Sequence, residues 1–109
     1  MAKYKMIALT TPLPGKEAEF HDWYQNKHLP ELVEHIEAIK GGQRYSLVAK
    51  LAGSDENPWL AIYDIEMDDP GAMMAQFGEA AGKMTPPSFQ DMGTTYTAVF
   101  SEYGERVGA

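Results

Sequence analysis

All three histidines of the chain lie in one stretch, HDWYQNKHLPELVEH (21–35), at His21, His28 and His35, with Trp23 and Tyr24 between the first pair. An imidazole titrates near neutrality, so it can ligate a metal or move a proton. Seven helical residues rise ~10.5 Å at ~1.5 Å each, whereas zinc ligands place their nitrogens ~2.0–2.1 Å from one ion. Paired ligands from one helix come three or four residues apart. The spacing therefore argues against a shared metal centre, and no metal site is expected.

Acid–base chemistry remains, and His28 is its best carrier. It follows Tyr24 by one helical turn, which makes the two side chains neighbours. Pro30 stands two residues later and disfavours helical geometry at Leu29, which marks a kink or break. Two readings of His28 follow. It caps the last carbonyls of a helix that stops there, or it lines a pocket that opens at the break. His21 falls at the margin of the apolar face and reads as a rim residue. His35, between Glu34 and Glu37, reads as solvated.

Phe20 and Trp23 read as core against a sheet, with Trp23 also a candidate pocket wall. The hydroxyls of Tyr24, Tyr45, Tyr63 and Tyr96 need partners if buried. In a pocket a phenol can donate to an oxyanion or a carbonyl. Arg44 is the only arginine before Arg106. It either pairs with Glu31 or Asp64, or holds a substrate carboxylate or enolate. Met67, Met73, Met74, Met84 and Met92 gather in the second half and suit a core or an adaptable apolar pocket.

The elements that must position these residues can be read from periodicity. YKMIALT (4–10) is strand-like and ends in the turn TPLPG. Phe20, Trp23, Tyr24 and Lys27 recur at helical spacing over 15–27. PELVEHIEAI (30–39) reads as a second helical piece beginning at Pro30 and ended by Gly41 and Gly42. QRYSLVAKL (43–51) and WLAIYDIEM (59–67) read as strands around a polar turn at 53–58. In the latter, Leu60, Ile62 and Asp64 share one face, and Trp59, Ala61, Tyr63 and Ile65 the other. Asp68-Asp69-Pro70 starts a helix carrying Met73, Met74, Phe77 and Ala81, and TTYTAVFSEY (94–103) is a last strand.

The order β-α-β-β-α-β predicts an α+β, ferredoxin-like antiparallel sheet with both helices on one face, in one domain over 1–109. The other sheet face carries apolar side chains with nothing in the chain to cover it, which predicts a homodimer.

At 109 residues, 44% hydrophobic and 23% charged, the chain can bury one core. A net charge of -7 argues against nucleic acid and anionic membranes as partners. The absence of cysteine excludes disulfides and thiolate catalysis. The first apolar run is too short for a signal segment, and no stretch approaches the ~20 apolar residues of a membrane span. A soluble, cytoplasmic protein is expected. Without a Walker motif, a Gly-x-Gly-x-x-Gly or a Gly-x-Ser-x-Gly, neither a nucleotide cofactor nor serine-hydrolase chemistry is expected, and no cofactor is assigned.

Gly15, Phe20, Trp23, Tyr24, His28 and Pro30, then Gln43-Arg44-Tyr45, then Tyr63, Asp69 and Pro70, follow an ordered motif set. In these residues the chain resembles the EthD-like branch of the dimeric α+β barrel superfamily. One departure is Ile39-Lys40-Gly41-Gly42, where relatives often carry Pro-Gly-Val. The resemblance implies a homodimer with a pocket between helices and sheet in each subunit. Such relatives include cofactor-free monooxygenases, polyketide-type cyclases, isomerases and haem-degrading enzymes.

The expected function is therefore acid–base chemistry on a small apolar, aromatic or polyketide-like molecule. His28 and Tyr24 are the candidate catalytic residues, and Trp23, Arg44, Tyr45, Tyr63 and Tyr96 the candidate substrate contacts. The alternatives are a non-catalytic small-ligand or accessory protein and a haem-binding or haem-degrading one.

Overall fold

The computed structural model describes residues 2–108. Its elements run β1 (Lys3–Thr10), α1 (Glu17–Trp23), a π-helical turn (Tyr24–His28), α2 (Leu29–His35), β2 (Ile39–Ser46), β3 (Trp59–Glu66), α3 (Pro70–Ala81) and β4 (Tyr96–Ser101). The four strands form one antiparallel sheet in the order β2-β3-β1-β4. This is the expected α+β, ferredoxin-like arrangement, with the helices packed on one face.

The register sorts the strand side chains. Met6 pairs with Tyr63 and Ala8 with Ala61 on the helix side, while Ile7 pairs with Ile62 and Leu9 with Leu60 on the other. The faces expected for β3 are those observed. Phe20, Trp23, Tyr24, Leu29, Leu32 and Ile36 from the helices pack onto Met6, Ala8, Ala61, Tyr63 and Ile65, with Met73 and Ala80 from α3.

Gly15 turns the chain into α1 at φ 79, a conformation that costs glycine nothing. Glu17 and Glu19 occupy the first turn, where the helix dipole is positive. At α3, the Asp69 carboxylate accepts from the Gly71 N–H at 2.9 Å and Pro70 holds the first helical position. That start is the one the sequence predicts.

Three local expectations are corrected. First, no break occurs at Leu29. His28 and Leu29 keep helical angles, and the Leu29 N–H donates to the Tyr24 carbonyl five residues back. Proline has no N–H and its ring presses on the preceding turn. A π turn widens the helix just before Pro30 instead of ending it.

Second, the helical piece stops at His35, and Gly41-Gly42 does not end it. Ile36 is already extended. The Ala38 N–H donates to the Gln76 side chain at 3.0 Å, and the Ala38 carbonyl accepts from the Glu66 N–H at 2.9 Å. These tertiary partners satisfy the backbone that a longer helix would have satisfied internally. Gly41 and Gly42 lie within β2, beyond a register shift between Ile39 and Gly41.

Third, β2 ends at Ser46 and not at Leu51. Its last pairing is Ser46 with Trp59, followed by one bond from the Leu47 N–H to the Pro58 carbonyl. Pro58 has no N–H with which to extend the ladder.

The sheet face away from the helices carries Ile7, Leu9, Leu60, Ile62 and Ala98, flanked by Tyr45, Tyr96 and Phe100, which are 47%, 47% and 49% exposed. No helix among the described residues is long and apolar enough to cross a membrane.

Candidate functional site

A cavity of about 310 Å³ lies between the long helix, the inner face of β1, α3 and the 84–95 segment. That is near the lower end of small-molecule pockets, roughly 300–1,000 Å³. Its walls are mostly apolar: Met6 and Ala8 from the sheet, Leu32 and Ile36 from α2, Phe77 and Ala81 from α3, and Met84, Pro87 and Met92 beyond it. Trp23, Tyr24, His28 and Tyr63 complete one part of the wall.

His28 lines this cavity and closes no helix. Its ring stacks on Trp23 at 4.6 Å between centroids and meets Tyr24 edge-on at 4.9 Å. Among the described residues neither its buried Nδ1 nor the buried Trp23 Nε1 has a hydrogen-bond partner. Burial lowers the His28 pKa from 6.5 to about 4, against a smaller opposing pull from Glu31. The imidazole is therefore neutral at neutral pH. The π turn places Trp23, Tyr24 and His28 on one wall.

Tyr24 and Tyr63 join hydroxyl to hydroxyl at 2.8 Å. Burial raises the pKa of both, most strongly at Tyr63. Each therefore stays protonated. One hydroxyl hydrogen is used between them, and the second is available to a ligand. The close fit requires Gly42: a Cβ there would sit 2.9 Å from Tyr63 Cδ1 and 3.2 Å from Leu29 Cδ2.

Arg44 does not line the cavity. Its guanidinium lies over the Tyr24 ring at 4.7 Å and within 5.5 Å of the Trp59 centroid. Its expected pairing with Glu31 or Asp64 does not form. Glu31 accepts from the Thr85 N–H and hydroxyl at 2.7 and 2.6 Å, and Asp64 pairs with Lys5. Arg44 instead donates to His21 Nδ1 at 2.9 Å. Burial and the Arg44 charge lower the His21 pKa, which keeps it the acceptor of that bond. His21 is thus a half-buried partner of Arg44, and His35 is exposed.

The candidates divide accordingly. The fold brings Trp23, Tyr24, His28 and Tyr63 together around one cavity. It places Tyr45 and Tyr96 on the opposite sheet face, opposite Leu60 and Leu9 in the register. Of the methionines gathered in the second half, Met84 and Met92 line the cavity, while Met73 is core and Met74 is exposed. Thr10, Gln90, Thr95 and Thr97 also line the cavity and were not singled out from the sequence. Thr10 shares the inward phase of β1 with Met6 and Ala8, so alternation could have found it. Gln90 sits in a loop where no periodic signal exists.

The backbone is similar to that of an ethyl tert-butyl ether D (EthD) family protein from Bacillus halodurans C-125, with a TM-score of 0.63 and 20% identity over 93% of this chain and 99% of that one. This chain shares that protein's α+β fold. A protein from Arabidopsis thaliana is similar at a TM-score of 0.50 and 17% identity, over 97% of this chain and 99% of its own. At these identities the likeness is one of fold. No family model matches the chain, and no curated protein matches it.

Proposed function

We propose that this EthD-like chain forms a homodimer that binds a small apolar, aromatic or polyketide-like molecule and acts on it by acid–base chemistry at His28. The observation that carries the reading is a neutral, half-buried imidazole in the wall of an apolar cavity.

The chemistry follows from the groups present. A bound ligand with an acidic C–H or phenol gives its proton to the imidazole. The anion left behind accepts a hydrogen bond from the Tyr24–Tyr63 pair, and its charge raises the His28 pKa from its low resting value. Return of the proton to a different ligand atom completes an isomerisation; in a cyclisation the carbanion first adds to a carbonyl carbon of the same ligand, the C=O π bond breaks, and the proton goes to the resulting alkoxide. Transfer of the ligand's electrons to oxygen would make the same step the start of a cofactor-free oxygenation. The dimer reading rests on the apolar outer face, where Tyr45, Tyr96 and Phe100 stay half exposed in the single chain.

The test is a thermal-shift screen of aromatic and polyketide-like compounds, followed by product analysis with the wild type and His28→Phe. Binding by both proteins with turnover only by the wild type supports the proposal. Unchanged turnover by a folded His28→Phe refutes the assignment. A second reading, ligand carriage without turnover, draws on the low pKa of His28, which makes it a weak base in the empty cavity. It predicts stabilisation by ligand with no product over long incubation.

A further inference from the structure

Opposite the inward face of Met6 and Ala8, the 84–95 segment contributes the buried side chain of Gln90 to the cavity wall. Its position is held by the backbone. Gln90 bridges Pro12, the Leu13 N–H donates to the Phe89 carbonyl, and the Asp91 N–H donates to the Thr11 carbonyl, the last two at 2.8 Å.

Hydrogen-bond counting orients its amide. The Thr95 hydroxyl has one hydrogen, and it goes to the Asp91 carbonyl at 2.9 Å. The Thr95 oxygen can then only accept, and it accepts from Gln90 Nε2 at 2.7 Å. The amide cannot be flipped without losing that bond, so Oε1 is the atom left over. No described group donates to it, and it is not among the sealed, unpaired atoms, so it keeps accessible surface. Thr10, which lines the same cavity, is likewise buried. Thr10 is four residues along β1 from Met6, the partner of Tyr63, or roughly 13 Å at ~3.3 Å per residue.

We propose that Gln90 is a specificity residue: its carbonyl accepts a hydrogen bond from a hydroxyl or N–H on the ligand, at the Thr10 end of the cavity and away from the Tyr24–Tyr63 pair. The inference rests on the reading of the cavity as a small-ligand site. It narrows the ligand class to flat apolar molecules that carry a donor group, such as phenols, because an acceptor left unpaired against apolar walls disfavours analogues without one.

Two probes of the same ring system separate the possibilities: 2-naphthol, which has a donor, and 2-methoxynaphthalene, which has none. Titration calorimetry is expected to show wild type favouring 2-naphthol by about tenfold or more. Gln90→Leu is expected to keep its affinity for the methyl ether and to lose most of the preference. If Gln90→Leu does not fold, Thr95→Val serves instead, since it retains Gln90 but removes the oxygen that orients it, and the preference again falls. Equal binding of the two probes by wild type overturns the role of Gln90 alone. A full preference retained in a folded variant does the same, since the donor is then read elsewhere. Binding of neither probe overturns the small-aromatic reading of the cavity and this inference with it.

Discussion

Protonating His28 should destabilise the protein in a defined pH window. The residue sits against Trp23 and Tyr24 in an apolar wall, and burial moves its pKa from 6.5 to about 4. The folded state therefore binds its proton more weakly than the unfolded state does. The stability tied to the neutral ring is fully present above the unfolded value and is lost as pH falls through the folded one. At roughly 1.4 kcal/mol per pKa unit, the shift corresponds to about 3 kcal/mol between pH 7 and pH 4. With a urea dependence of about 1–3 kcal/mol per molar, the midpoint should fall by about 1–3 M. Carboxylates also titrate there, so the comparison that matters is with His28→Phe. The phenyl ring preserves the stack on Trp23 and carries no titratable group, so its midpoint should fall by less, by the amount due to His28. Proton resonances of the His28 ring in wild type should titrate near pH 4. Equal losses in the two proteins, or a ring midpoint near 6.5, would show that His28 is not desolvated as the geometry requires.

Tyr63→Phe should cost about 1–3 kcal/mol in urea denaturation by leaving the buried Tyr24 hydroxyl without its 2.8 Å partner, while Tyr24→Phe/Tyr63→Phe together should be closer to wild type than additivity allows. Gly42→Ala should destabilise by about 1–3 kcal/mol, because its Cβ would meet Tyr63 at 2.9 Å; a melting temperature within a degree of wild type would contradict that packing. Phe100→Glu, on the outer sheet face, should shift the sedimentation-equilibrium mass toward a single chain with little change in the far-ultraviolet spectrum, and an unchanged mass would remove that face as the interface. Asp69→Ala should cost about 1 kcal/mol through loss of the bond from the Gly71 N–H, and Asp69→Asn should recover most of it.

Features whose physics is local were legible in the sequence. The two faces of β3 follow from period-two alternation over WLAIYDIE, and the start of α3 follows from a capping aspartate before a proline. The grouping of Trp23, Tyr24 and His28 followed from helical spacing. Other features depended on competition between local rules and distant partners. Pro30 predicts a break, yet packing of Leu29 and Leu32 into the core holds the helix together across it, at the expense of one π turn. Gly41-Gly42 looks like a helix stop, but the close approach of Tyr63 requires the missing side chain in a strand.

The outcome for the tyrosines shows where the division lies. That Tyr63 shares a face with Ala61 and Ile65 was legible, because β3 alternates over its whole length. That Tyr45 points outward was not, because the phase of β2 is set by the register shift between Ile39 and Gly41, and a one-residue slip exchanges the two faces of a strand. Sequence alone thus determined the element order and the division of β3 into two faces, since each rests on spacing along a single segment. Only the tertiary structure decided that His28 lines a cavity, that Arg44 packs on Tyr24 and bonds His21, and that Gln90 lines the same cavity. Each of these depends on hydrogen-bond partners and neighbours brought from segments far apart in the chain, and no pattern within one segment carries that information.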